Sequence, residues 1–152
     1  MEIRKVESDK KQFLELLLLA DEQEDMIDKY LERGTLYALF DDDLKSVCVV
    51  TKESDTTCEL KNLATYPCYQ KCGYGRKLVL YLFEQYQDSF DTMFVGTGNN
   101  PDTIGFYEGC GFRYSHIKEN FFVDHYIEPI FENGVQLIDM IYLRKEFRSG
   151  KM

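Results

Sequence analysis

At 152 residues, 44% of them hydrophobic and with 11 Phe and 11 Tyr, the chain can bury one sizeable core, and its length fits a single domain over residues 1–152. A formal net charge of −9 argues against a nucleic-acid surface, which needs an accumulated basic patch; it leans toward a cationic partner, although excess carboxylates also simply keep a protein soluble. Residues 1–5 lack the apolar run of a signal peptide and residues 13–19 are too short to span a bilayer, so no membrane association and a cytoplasmic location are expected, and five cysteines without a Cys-x-x-Cys pair suit reduced thiols better than a disulfide framework or a metal site.

In chain order, Ile3 opens a strand, residues 13–19 read as a first helix and residues 25–31 as a second, which Gly34 can terminate. Residues 36–40 and 46–50 are apolar runs suited to paired strands across the turn Asp41-Asp42-Asp43. A calcium loop is unsupported there, because the spaced ligands and terminal Glu are missing. Residues 58–65 mix apolar and polar side chains as a half-exposed strand does, and Tyr66-Pro67 ends it because proline has no N–H for the ladder. Leu78, Leu82 and Tyr86 then share a helical stripe that Val79 and Phe83 widen, so a core-facing helix starts near Gly75 or Arg76. Residues 93–96 give the next strand, and a helix follows around Phe106-Tyr107. Residues 120–134 are longer than a hairpin turn needs. Residues 135–143 read as the last strand and residues 144–152 as a frayed basic end. The whole is an α/β mixture with no repeat, linker or low-complexity segment.

One junction carries chemistry. Gln70-Lys71-Cys72-Gly73-Tyr74-Gly75 opens directly into a helix start, where backbone N–H groups lack intrahelical partners and the helix dipole is positive. Two glycines let those groups converge on a phosphate, with Lys71, Arg76 and Lys77 adding charge. The loop is not a Walker A sequence, since no Gly-Lys-Ser/Thr follows, nor Gly-x-Gly-x-x-Gly, since position 78 is Leu. Alone, it reads better as a plain tight turn; within residues 58–112 it reads as part of a pocket for an anionic thioester cofactor.

Gln70 to Gly75 fit, at every defined position, the Gln/Arg-x-x-Gly-x-Gly/Ala signature of the GNAT superfamily of N-acetyltransferases. Downstream, Met93-Phe94-Val95-Gly96, Asn100, Phe106-Tyr107 and Gly111-Phe112 match that family's next strand and its Asn…Leu/Phe-Tyr-x-x-x-Gly-Phe pattern. The chain therefore resembles this superfamily over nearly its whole length, most securely over residues 58–114. The resemblance implies a splayed, mixed but mostly antiparallel α+β sheet of six to seven strands flanked by about four helices. It also implies acetyl transfer from acetyl-CoA to a primary amine, small-molecule or peptide, by direct attack in a ternary complex.

By the same resemblance, the backbone of Leu63, Ala64 and Thr65 holds the pantetheine arm; family members commonly have Val at the third position. The loop residues Gln70, Lys71, Cys72, Gly73, Tyr74, Gly75 and Arg76 hold the phosphates. Asn100 binds the pantetheine arm or caps a helix. Tyr107 donates a proton to the leaving thiolate or is a packing tyrosine, and Glu59 falls where some members carry a catalytic glutamate. Rivals for the base are Asp124, Glu128, Glu132 and water. The segment 120–134 reads as an acceptor-site loop, a cover for the sheet or a homodimer contact. Cys110 has no activating base beside it in sequence and is not expected to be a nucleophile. The competing classes are a non-catalytic acyl-CoA sensor or scaffold of the same fold, and a nucleotide-binding regulator. The acceptor is not legible in the sequence.

Overall fold

In the computed structural model, which describes residues 1–147, the alternating and apolar segments form one seven-stranded sheet. Its strands are β1 (Glu2–Val6), β2 (Thr35–Asp41), β3 (Asp43–Lys52), β4 (Thr57–Thr65), β5 (Thr92–Thr97), β6 (Arg113–Lys118) and a last strand, Met140–Glu146, which becomes β9 once a small ribbon is counted. That ribbon, β7 (Phe131–Glu132) and β8 (Val135–Gln136), stands apart from the sheet. The spatial order is β1-β2-β3-β4-β5-β9-β6. Only β4 and β5 run parallel; every other pairing is antiparallel. The helices are α1 (Leu14–Leu17), α2 (Glu24–Asp28), α3 (Tyr74–Tyr86), α4 (Pro101–Cys110) and α5 (Phe121–His125).

β3 shows why this sheet needs cover on both sides. Residues 45–51 are all buried, the near-continuous run of a strand packed on two faces. One face meets α3 and α4 through Cys48, Val50, Leu78, Leu82 and Phe112. The other meets α1 and α2 through Val47, Val49, Leu16, Leu17 and Ile27. Each fully buried Leu or Phe in these layers contributes about 1.5–3 kcal/mol relative to exposure.

The short helices on the second face are pinned by a buried cation. Lys10 donates from Nζ to the carbonyls of Leu31 (3.1 Å), Glu32 (3.1 Å) and Gly34 (2.6 Å), which satisfies both its charge and the open end of the turn after α2. Gly34 is fixed by space, since a Cβ there would lie 2.6 Å from Val49 Cγ1 and 2.8 Å from the Tyr30 carbonyl oxygen.

Several boundaries differ from the sequence reading. The expected first helix is a 3-10 turn, Lys10–Phe13, running into the single α-turn of α1. The second ends at Asp28, with turns carrying the chain on to Gly34, whose N–H bonds the Tyr30 carbonyl at 2.9 Å. The last strand does not begin at Val135. Asn133 and Gly134 both have positive φ (52° and 78°), so a two-residue hairpin turn folds Val135 back onto Glu132, and the sheet strand starts only at Met140. Arg144 belongs to that strand rather than to a frayed end, and the remainder of that expectation, residues 148–152, lies outside the described residues. Among the described residues no helix is long and apolar enough to cross a membrane.

Candidate active site

Two irregularities in β4 make the site. The register with β3 slips between Val49, opposite Asn62, and Val50, opposite Leu60, which leaves Lys61 as the extra residue of a bulge. The slip exchanges faces: Cys58 and Leu60 pack toward α3, whereas beyond it Ala64 packs toward α1, and Asn62 bonds the Leu17 carbonyl and the Tyr30 hydroxyl on that same side. Second, β4 and β5 pair only from Thr57↔Thr92 to Leu60↔Val95, although both strands continue. From Lys61 to Thr65, β4 has β3 on one edge and, among the described residues, no strand on the other.

The parting opens a cleft of about 310 Å³ through the sheet. Lys61, Asn62, Leu63, Ala64 and Thr65 form one wall, and Val95, Gly96, Thr97 and Gly98 the other. Thr103 and Tyr107 reach it from α4, and Asp21 and Glu22 from the loop between α1 and α2. Phe122, Tyr126, Ile130, Glu132 and Leu137 close it from the insertion between β6 and β9, and Met140 from the start of β9. An extended ligand with its own amides is the complement that an unpaired strand edge calls for.

The loop behind the cleft runs from the end of β4 into the start of α3. Gly73 caps α3 in the left-handed region, φ 92° and ψ 0°, and a Cβ there would meet nothing within 4 Å, so its freedom serves the turn rather than packing. Lys71 is also left-handed, φ 64°, and its side chain and that of Cys72 are exposed. Gln70 lines the cleft and donates from Nε2 to the Thr65 carbonyl at 3.2 Å, joining the loop to the end of β4. Gly75 faces the Phe106 ring, its added Cβ falling 3.3 Å from that ring. Two of the expected loop ligands have structural partners for their side chains. Tyr74 donates its hydroxyl to Asp41 Oδ2 at 2.8 Å, and Arg76 donates from Nη1 to the Gly109 carbonyl at 2.8 Å.

Tyr107 is buried, T-shaped against Phe106 and Phe112 at 5.1 and 5.6 Å, and lines the cleft. Burial holds its phenol well above the usual range, so it stays protonated at neutral pH. Asn100 caps α4, its Oδ1 accepting from the Asp102 N–H at 3.0 Å, and its Nδ2 donates to Glu132 Oε1 at 3.0 Å. It therefore ties α4 to the β7–β8 ribbon. Glu59 sits on β4 before the bulge, beside the cleft rather than among its lining residues, with Lys61 Nζ 3.3 Å away. Burial raises its pKa, against the pull of Lys61. Asp124 and Glu128 stay outside the main cleft, while Glu132 lines it.

Sequence reasoning missed the residues that close the cleft between the α1–α2 loop and the insertion. Asp21 accepts from Tyr30 at Oδ2 (3.0 Å) and from Tyr126 at Oδ1 (2.7 Å); Gln23 Oε1 accepts from the Ile127 N–H at 3.0 Å. These bonds tie the α1–α2 loop to the insertion across the cleft. Burial, opposed by the two phenols and a backbone donor, raises the Asp21 pKa. Ala20-Asp21-Glu22-Gln23 gives no local signal for this, since acidic loops between helices are ordinarily solvated. The Asn133-Gly134 pair was a usable hairpin signal for the insertion.

Comparison with known proteins is consistent with this geometry. Residues 32–114 match the acetyltransferase (GNAT) domain family. The chain is 43% identical over 132 residues, 85% of each chain, to the uncharacterized N-acetyltransferase YvbK of Bacillus subtilis strain 168. It superposes with a TM-score of 0.90 on a GNAT family acetyltransferase from Elizabethkingia anophelis with acetyl-CoA bound, at 33% identity over 95% of this chain and 97% of that one. A Bacillus subtilis acetyltransferase in complex with CoA gives a TM-score of 0.87 at 40% identity, with the same coverage.

Proposed function

The chain belongs to the GNAT acetyltransferase family and is an acetyl-CoA-dependent acyltransferase; from that premise we propose that it acetylates a primary amine by direct attack within a ternary complex. The observation that carries the reading is the parting of β4 from β5 after Leu60↔Val95, with Tyr107 lining the gap. The donor supplies an activated acetyl thioester, and the chain supplies everything around it. The free edge of Leu63, Ala64 and Thr65 is assigned to the donor's amide-bearing arm, and the helix start at Gly73 to its phosphates. An N–H on that edge is also assigned to stabilise charge developing on the thioester carbonyl oxygen, the kind of preorganised donor that contributes most to such steps.

Thr103 and Tyr107 of α4 and Asp21 and Glu22 of the α1–α2 loop reach the gap from opposite faces of the sheet, which suits a reaction in which both substrates are bound before chemistry. Tyr107, kept protonated by burial, is assigned the proton delivered to the leaving thiolate. Glu59 is assigned the proton lost by the amine, by way of water and beside Lys61, which does line the cleft. Arg76 and Asn100 are assigned to the architecture behind the donor site, on the strength of their bonds to Gly109 and to Asp102 and Glu132.

Thermal unfolding with acetyl-CoA, CoA, ATP or no ligand, followed by thiol release with an amine panel, tests the proposal. A midpoint raised by acetyl-CoA and CoA but not ATP, with amine-dependent thiol release, is the expected result. A CoA-specific shift with no amine giving turnover would favour the sensor or scaffold instead.

A further inference from the structure

The acceptor side of the cleft has an unusual charge arrangement. Asp21, Glu22 and Glu132 line it with one basic residue, Lys61, whose Nζ lies 3.3 Å from Glu59 and so offers little positive charge to a ligand. Glu132 accepts from Asn100. Asp21 is different: both of its oxygens are oriented by phenols, and among the described residues no Lys, Arg or His nitrogen forms an ion pair with it. The charged neighbour that acts on it is Asp25, of like sign. The two phenols favour the carboxylate anion without cancelling its charge, and the burial and like-signed neighbour that oppose them are offset when a cation meets it in this half-enclosed site.

The support behind Asp21 is built rather than incidental. Asn62, 4% exposed, donates from Nδ2 to the Leu17 carbonyl and to the Tyr30 hydroxyl, each at 3.1 Å, so the Tyr30 proton is left to point at Asp21. The Asn62 amide orientation is fixed by that carbonyl, which can only accept. Asn62 Oδ1 is then a buried acceptor without a partner, on a residue that lines the same cleft.

We infer that the acceptor is a small amine bearing a second positive group, and that this second group stays protonated against Asp21 while the other nitrogen is acetylated. The inference rests on the proposed N-acetyl transfer. An attacking nitrogen must be neutral, so the nitrogen held as an ammonium is not the one that reacts. The lone pair of the free amine forms the new C–N bond at the thioester carbonyl as the C–S bond breaks. The amine proton leaves to Glu59 or water, the thiolate is protonated from Tyr107, and the ammonium at Asp21 is unchanged throughout. Asp21 is thus a specificity-determining residue, distinct from the groups that move protons.

Three acceptors of one chain length decide the matter: diaminobutane, butylamine and aminobutyrate, which end in a cation, a methyl and a carboxylate. With the wild-type protein, kcat/KM for diaminobutane should exceed that for butylamine by about tenfold or more, through KM, the scale of a hydrogen bond to a charged group, with aminobutyrate poorest. In Asp21→Asn the first two should come within about twofold of each other, while acetyl-CoA still raises the unfolding midpoint. Turnover of all three amines without that order, or an Asp21→Asn enzyme that keeps the diamine preference, would overturn the inference and leave acetyl transfer standing. If no amine is turned over, the midpoint of the CoA-saturated protein gives a separate reading: a further rise with diaminobutane but not butylamine supports the anchor, and equal effects sink it. Should Asp21→Asn fail to fold, the wild-type order and the wild-type midpoints decide alone.

Discussion

The two walls of the cleft are made of different kinds of structure. The side proposed for the donor presents backbone groups, held by the β3–β4 ladder, the capped start of α3 and the edge-to-face rings of Phe106, Tyr107 and Phe112. The side proposed for the acceptor depends on side chains far apart in sequence, above all Asp21 and Tyr126, which bond across 105 positions of the chain. A wall built from backbone geometry tolerates many side chains and so fits a constant substrate. One assembled from a few long-range polar contacts changes its preference with one or two substitutions, as a variable substrate requires.

The largest expected effect tests the donor wall at its reacting end. Tyr107→Phe keeps the ring and its T-shaped packing but removes the acid. We expect kcat to fall by about 10²–10⁴-fold, with the acetyl-CoA-induced rise in unfolding midpoint retained. A fall below tenfold would return Tyr107 to the role of a packing residue. Next, Tyr126→Phe removes one donor from Asp21 and loosens the tie between the α1–α2 loop and the insertion, at a cost of about 1–3 kcal/mol. Here the acceptor KM should rise while the midpoint shift given by CoA is preserved; equal loss at both sites would mean that the walls are not separable. Gly73→Ala is smaller still. Its new Cβ meets nothing within 4 Å, so the cost is the left-handed backbone alone, about 1 kcal/mol, or about 2–4 °C in Tm for a chain of this size. Any additional loss of the CoA shift reports how closely that turn fits the donor.

The same contrast explains what the sequence could reveal. The end of β4 at Tyr66-Pro67 and the stripe of α3 follow from local rules, and the structure puts them there, with α3 starting at Tyr74 under a Gly73 cap, just ahead of the expected start; Tyr107 is singled out by the family resemblance rather than by such rules. The bulge at Lys61 does not announce itself. Even-numbered residues from Cys58 to Ala64 are buried without a break, so the pattern looks like one uninterrupted strand, while the faces they serve change halfway. The Arg76 side chain looked like a phosphate ligand because positive charge near a helix start is a general signal; the carbonyl of Gly109 is brought to it only by the tertiary fold. Asp21 was invisible for a related reason. Its partners come from α2's following turn and from the insertion, and a carboxylate's neighbours at that distance leave no trace in spacing.

Glu59 provides the smallest effect and the sharpest use of it, because its proton is coupled to stability whether or not it is coupled to catalysis. Its pKa in the folded protein lies above the ordinary value of 4.5, with burial as the first cause. Between 4.5 and that raised value the folded chain binds a proton that the unfolded chain has released, so stability falls as pH rises through this window and stays lower above it. Glu59→Gln cannot ionise. The difference in unfolding midpoint, wild type minus variant, should therefore decline from acid toward neutral pH, by an amount that the pull of Lys61, 3.3 Å away, already limits. The same variant separates the two roles. If Glu59 takes the acceptor's proton, kcat should drop and the acid limb of the rate profile should vanish along with the stability slope. If it only balances Lys61 beneath the cleft, the slope will flatten while the acid limb of the rate remains, and the base must then be sought among the groups that line the acceptor wall.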